Sequence, residues 1–235
     1  MSVSCLIPAY NEAARIADVL ASVVGHPLID EVIVIDDGSV DGTSAVVAGI
    51  DGVRLITLPE NRGKTAALAE AIAQARGDLL LLVDADLIGL SAADLTGLIA
   101  PVLLGQAQIS ISLRHNAPWL WRVIGLDYIS GERVLHKSLV APHLAALPNL
   151  RKFGFEVFLN GLCVASGLRI AVVPWPKVSS PLKIAKYGWW AGVQGDVGMI
   201  RDLLVTASMI GLLRQIIAMR RLRVSPVLIA PSPPL

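Results

Sequence analysis

The sequence predicts an α/β protein: a mostly parallel sheet with helices on both faces, followed by an amphipathic helix near the C-terminal end. Two observations carry that expectation. Continuous apolar segments alternate with helix-patterned segments through the first ninety or so residues. Unbroken apolar runs, rather than runs alternating with polar residues, mark strands covered on both faces. Each run also closes on a polar cluster, in turn "AYNE", "DDGS", "ENRGK" and "DADL". In parallel sheets ligands bind beyond the carboxyl ends of the strands, so four separate segments point to one edge.

The elements follow in order. "VSCLIPAY" (3–10) reads as a strand ending at a turn. A helix comes next, with Ile16, Val19, Leu20 and Val23 on one face, stopped by Gly25 and Pro27. "EVIVIDDGS" (31–39) is the second strand, and Asp41 is the expected N-cap of a short helix after it. "VRLITLPE" (53–60) is the third strand, 63–76 an Ala-rich helix and "DLLLLVDADL" the fourth strand. Beyond residue 90 we expect a helix capped by Ser91 and a strand in "AQISISLR". Residues 119–140 read as helical with breaks, 153–167 as a helix ended by Gly167, and "LRIAVVPW" as a late strand. The final "SPVLIAPSPPL" is Pro-rich and reads as a tail without fixed structure.

Composition narrows the function classes. The chain has 235 residues, 54% hydrophobic and 17% charged, which supports a full core and excludes a disordered or fibrous protein. A formal net charge of +1 gives no global electrostatic case for nucleic acid, and none is expected as a partner. Cys5 and Cys163 sit in apolar contexts with no metal-ligand spacing and read as buried thiols of a reducing compartment. The N-terminal residues lack the charged and apolar regions of a signal peptide. Residues 203–219 are apolar but contain Arg214, so a helix lying on the protein or in a membrane interface is expected rather than a span.

Chemistry concentrates at the strand ends. Asp84 and Asp86, with Ala85 between them, project to the same side of a strand, so both reach one hard cation. The ordinary alternative is a solvated strand end. Asp36 and Asp37 terminate another buried strand, where a carboxylate suits a ribose hydroxyl or a base N–H, or a simple turn. Asn61, Arg62, Gly63 and Lys64 precede a helix, whose free N–H groups and two cations suit a diphosphate, or a solvated turn. Glu156 shares a helix face with Asn160; directed into a cleft, it would take a proton from an acceptor hydroxyl. Arg133 has two readings, a phosphate contact or an ordinary ion pair with Glu132 or another acid.

Together, "IPAYNE", "VIDDGSVDGT", "NRGKTAAL" and "LLLVDADL" resemble family 2 glycosyltransferases of the GT-A fold, in that family's order and over about residues 1–115. The later 153–175 segment is similar more loosely, nearest in flavour to polyprenyl-phosphate sugar transferases. The resemblance implies that Pro8, Ala9, Tyr10 and Glu12 line a nucleoside pocket, with Asp37 at the base or ribose and Lys64 near the nucleotide. It places Asp84, Ala85 and Asp86 at the donor sugar and at a Mg²⁺ or Mn²⁺ ion bridging the diphosphate, Asp86 being the more direct ligand. It gives Glu156 and Asp84 catalytic roles, although the family's usual paired acids are absent because Val157 follows Glu156.

The implied activity is metal-dependent transfer of a sugar from a nucleoside-diphosphate donor (UDP or GDP) to an acceptor at or near a membrane, with inversion the favoured course and retention the open alternative. The rival acceptor is a soluble or saccharide hydroxyl. The rival class is a non-catalytic membrane-associated module that binds nucleotide sugars. Residues 1–195 form the expected catalytic domain, with a donor half at 1–115 and an acceptor half at 116–195. A helical extension at 196–223 and the tail at 224–235 follow. The basic, aromatic stretch 175–190 with the helix after it makes 175–223 the expected peripheral membrane contact, at the inner face of the membrane of a cytoplasmic protein.

Overall fold

The computed structural model describes residues 1–150, 154–181 and 209–225. One eight-stranded sheet runs through it, in the order β3-β2-β1-β4-β6-β5-β7-β8. Its first half comprises β1 (Val3–Ala9), β2 (Glu31–Asp36), β3 (Val53–Thr57) and β4 (Leu79–Leu82), all mutually parallel. Helices α1 (Ile16–Val23), α2 (Thr43–Ala48) and α3 (Lys64–Gln74) make the crossovers. The chain runs outward from β1 to β3, then returns to place β4 on the other side of β1. That reversal opens a crevice above the carboxyl ends of β1 and β4.

Burial explains the unbroken apolar runs. All four leucines of β4 are buried, and they alternate between two cores. Leu80 and Leu82 join Leu6, Ile33 and Ile35 on one face; Leu79 and Leu81 join Cys5, Ile7 and Val34 on the other. A two-residue side-chain period feeds both cores only when helices cover both faces. The α1 stripe of Ile16, Val19, Leu20 and Val23 is wholly buried, as its spacing requires. Cys5 and Cys163 are both buried free thiols.

The second half holds α4 (Ala92–Leu103), β5 (Ile109–Arg114), α5 (Trp119–Ile124), β6 (Arg133–His136) and α6 (Lys137–Val140). It continues through α7 (Gly154–Ala165), β7 (Ile170–Trp175), α8 (Met209–Arg221) and β8 (Arg223–Val224). Ser91 caps α4 through a reciprocal pair of bonds with Asp94, as expected.

Three expectations need correction. The strand expected to carry Asp84 and Asp86 ends at Leu82, so both acids lie in the turn beyond it rather than on one face of a strand. Residues 119–140 are not one broken helix: α5 stops at Gly125, in left-handed conformation, and residues 133–136 form a strand. This β6 runs antiparallel between β4 and β5, so ladder pairing on both sides outweighs a locally helix-compatible composition. The N-cap of α2 is Gly42 rather than Asp41, which instead accepts the Thr43 N–H at 3.0 Å from just outside the helix. Of the helical extension expected over 196–223, the described part is helical from Met209 to Arg221; residues 182–208, which hold most of the basic aromatic stretch, and the tail 226–235 lie outside the described residues.

Candidate active site

The turn after β1 is where the site begins. Asn11 takes a positive φ of 56°, a conformation that its short amide side chain tolerates. It is held there by bonds in both directions. Its N–H donates to Ser39 Oγ at 2.8 Å, and its Oδ1 accepts the Val40 N–H at 2.9 Å. The β1 and β2 exits are thereby tied together.

Both acids ending the β2 region are buried, and both are satisfied. Asp36 accepts from the Ser39 N–H and from Ser44 Oγ, which makes it a loop anchor. Asp37 accepts the Arg62 N–H on one oxygen and the Gly63 N–H on the other, each at 2.8 Å. It therefore clamps the loop that delivers α3. Gly38, with φ +73°, lies where a Cβ would come within 2.6 Å of the Glu60 carbonyl carbon. The close approach that this glycine permits is that of the chain's own backbone.

These elements leave a cleft of about 310 Å³ at the β1/β4 crevice. Pro8, Ala9, Tyr10, Glu12, Asp37, Lys64, Asp84, Ala85 and Asp86 line it, with Asn61 and Gly63. Every residue expected to touch the donor therefore meets in one place. Glu12, mostly buried, has its carboxylate 3.1 Å from Arg15 Nη1.

Lys64 is the hinge of the site. Its Nζ lies 2.6 Å from Asp84 Oδ1 and 3.7 Å from Glu156 Oε1. Desolvation by its neighbours disfavours the ammonium, although the side chain stays 40% exposed, and Asp84, Glu156 and Glu132 outweigh that cost and hold its pKa above the usual lysine range. Gly131 makes room for the pair: a Cβ there would sit 2.7 Å from Lys64 Nζ and 2.8 Å from Asp84 Oδ1.

Glu156 is buried on α7 and stands behind Lys64 rather than on the cleft wall. Burial pushes its carboxyl up, against the opposing pull of Lys64 and Arg133. Arg133 is fully buried; it does not line the cleft, and it does not pair with Glu132, one of the partners open to it. Its guanidinium donates to the Ser130 carbonyl (2.7 Å), Asn160 Oδ1 (2.6 Å) and the Tyr128 carbonyl (3.1 Å). It thus ties the loop before β6 to α7 one turn beyond Glu156. His115 is exposed.

A second buried charge cluster escaped the sequence reading. Arg114, at the end of β5, lies 3.3 Å from Glu132 and 3.6 Å from Asp127. Glu132 also accepts from Ser112 and Ser130, each at 2.8 Å. Burial opposes the Arg114 charge; Glu132, Asp127, Asp84 and Asp86 together more than offset it. Arg114 therefore belongs to the electrostatics of the two cleft aspartates. The available signal was its position, since "ISLR" closes a strand on a charge just as "LLLLVDAD" does.

Asp127 makes this cluster pH-sensitive. Burial raises its carboxyl to about 6 despite Arg114. An acid raised on folding holds its proton longer in the native than in the unfolded chain. Its stabilising contribution is complete below the ordinary value of 3.8 and is lost as pH rises through about 6. Asp127→Asn is therefore expected to raise the melting temperature relative to wild type at pH 7.5. Thermal melts at both pH values should show that gain shrinking or reversing at pH 4.5.

Relatives share this architecture. The description "Glycosyl transferase family 2" fits residues 4–140. A dolichyl-phosphate beta-glucosyltransferase of Dictyostelium discoideum is 28% identical over 176 residues, covering 68% of this chain and 49% of that protein. The human dolichyl-phosphate beta-glucosyltransferase is 38% identical over 98 residues, 35% of this chain and 30% of that one. The chain thus spans half or less of these curated relatives. The crystal structure of glucosyl-3-phosphoglycerate synthase from Mycobacterium tuberculosis, in complex with Mn²⁺ and UDP-glucose, matches with a TM-score of 0.65 at 25% identity, covering 87% of this chain and 78% of that one. With the family match extending over more than half of its length, from β1 through β6, the chain belongs to glycosyl transferase family 2.

Proposed function

We propose that the protein transfers a sugar, glucose being the first candidate, from its UDP conjugate to a phosphate-bearing acceptor at a membrane surface. The observation that carries this reading is the cleft itself: carboxylates, an ammonium and nucleoside-sized walls at the β1/β4 switch point. UDP is supported by the nucleotide named with the mycobacterial synthase, and glucose by the glucosyl products of all three relatives. Inversion is the proposed course, in keeping with the beta-glucosyl product of the dolichyl-phosphate enzymes.

The donor set suits a hard divalent cation. Among the described residues no group of three or more His, Cys, Asp and Glu side chains forms a metal cage. Asp84 and Asp86 offer carboxylate oxygens on the cleft wall, which suits Mg²⁺ or Mn²⁺ completing its shell with phosphate oxygens and water. Such an ion would neutralise charge on the departing nucleoside diphosphate. Asp37 and the strand-end residues 8–12 would orient the nucleoside, and Lys64 would balance charge beside it.

The acceptor class is argued from Glu156 and from the surface. A phosphate with a second pKa near 6 is already ionised at neutral pH and needs no strong base. Glu156, set behind Lys64, suits a supporting carboxylate better than a base in contact with a hydroxyl. Exposed Trp119 and Val123 on α5, and exposed Ile210, Leu213 and Ile217 on α8, join exposed Arg122, Arg214, Arg220 and Arg221 with no acidic residue on either helix. Apolar side chains on helices whose only charges are cationic suit an anionic bilayer. Among the described residues no helix is long and apolar enough to cross a membrane.

Thermal shift with UDP and GDP, with and without Mn²⁺, tests the donor: stabilisation by UDP that requires Mn²⁺ is expected, and no stabilisation by any nucleotide would sink the assignment. Labelled UDP-glucose should then transfer to polyprenyl phosphate in anionic vesicles. Transfer only to 3-phosphoglycerate would favour a soluble acceptor, the reading supported by the solved synthase. Glu156→Gln is expected to keep turnover within about tenfold. A loss of about 10³-fold would instead mark Glu156 as the base for a hydroxyl acceptor.

A further inference from the structure

Two carboxylates at the end of a buried strand need a positive neighbour, and the structure supplies one that is not a metal. The Lys64 ammonium lies 2.6 Å from Asp84 Oδ1. The place is shaped for it, because Gly131 withholds the Cβ that would come within 3 Å of both partners. The same ammonium is 3.7 Å from Glu156 Oε1, on the opposite, acceptor-side element. Lys64 begins α3 directly after Gly63, whose N–H is fixed by Asp37 on the nucleoside side of the cleft. One flexible side chain thus lies between Asp84 and Glu156, on the residue that follows the loop anchored by Asp37.

We propose that Lys64 is the resident counter-cation of Asp84 in the donor-free site, and that the divalent ion arriving with the donor displaces it onto Glu156. This rests on the reading of the cleft as a donor and metal site. A charge of +1 held on Asp84 opposes entry of a free divalent ion through like-charge repulsion and competition for the same oxygen. A diphosphate brings the negative charge that lifts this opposition. Metal and nucleotide therefore bind with strong mutual coupling, and by linkage each raises the affinity of the other by the same factor. Displacement strengthens the contact with Glu156, so donor loading is communicated to the acceptor side without a change in the backbone.

The test measures binding, not turnover. Mn²⁺ alone is titrated into the protein and free ion is followed by electron paramagnetic resonance, with and without UDP. Wild type is expected to bind Mn²⁺ weakly alone and much more tightly with UDP. In Lys64→Met, Mn²⁺ alone should bind about tenfold more tightly, and the enhancement by UDP should shrink by a similar factor. Lys64→Arg, which keeps the charge, should restore weak binding of Mn²⁺ alone. A residue that only braces the fold would weaken metal binding when removed, or leave it unchanged, and either outcome overturns the proposal. Thermal melts of each variant show whether it is folded; should Lys64→Met not fold, Lys64→Gln takes its place under the same criteria. If wild type binds no Mn²⁺ even with UDP, the donor-site reading fails and the proposal fails with it. If wild type binds Mn²⁺ and UDP together but Lys64→Met shows no gain, only the role of Lys64 is refuted.

Discussion

Replacing Asp86 with alanine is expected to reduce sugar transfer by about 10³-fold while leaving the fold intact. A metal acting as a Lewis acid supplies several kcal/mol of charge stabilisation, and each 1.36 kcal/mol is roughly a factor of ten in rate. Asp86 is a cleaner probe than Asp84, because Asp84 also holds Lys64 at 2.6 Å and its loss would disturb Glu156 as well. Asp86 lines the cleft in the turn beyond β4, where removing its carboxylate opens no core. The melting temperature should therefore change little. Transfer rates at saturating UDP-glucose and Mn²⁺, with Mn²⁺ affinity in the presence of UDP, check the expectation. Activity retained within tenfold would remove Asp86 from the metal site.

Asp37→Ala should injure both stability and nucleotide binding. Its buried carboxylate accepts two backbone N–H groups at 2.8 Å, from Arg62 and Gly63. Leaving charge-assisted bonds of this kind unmade costs about 2–4 kcal/mol in total, or roughly 5–10 °C in melting temperature for a chain of this size. UDP affinity should fall by about 10²-fold, since the loop carrying Lys64 loses its anchor and the cleft loses a lining carboxylate. Asp37→Asn should rescue little: an amide offers one acceptor oxygen where the loop presents two donors. Calorimetric titration with UDP beside thermal melts separates the two losses. A variant that melts normally yet binds UDP normally would show that Asp37 does neither job.

The donor half was legible because its signals are local. An unbroken apolar strand reports coverage on both faces, and the acids, glycines and cations that follow each strand fall at one edge by the geometry of parallel pairing. The β1, β2 and β4 exits could therefore be placed without coordinates, and with them Pro8 to Glu12, Asp37, Lys64, Asp84 and Asp86. The acceptor half carries no such rule. Residues 133–136 look helix-compatible alone and become a strand only because β4 and β5 each offer them an unpaired edge. Arg114, Asp127 and Glu132 are scattered over nineteen positions of sequence, and nothing in their spacing says that one buried cluster gathers them. Gly38 and Gly131 look like ordinary turn glycines, yet each marks a contact with a distant part of the chain.

The division at Asp84 and Asp86 is the sharpest. Sequence alone determined that two carboxylates follow a buried strand at a ligand-binding edge, because hydrophobic patterning is a property of neighbouring residues; that they sit in the turn beyond Leu82 rather than on the strand was decided by the fold. Which cation answers them was a tertiary matter. Lys64 is twenty positions from Asp84, and Glu156 is seventy-two beyond it, so only the crossover through α3 and the packing of α7 bring the ammonium between the two carboxylates. Charge interactions depend on distance in space, and distance in space is what the fold decides.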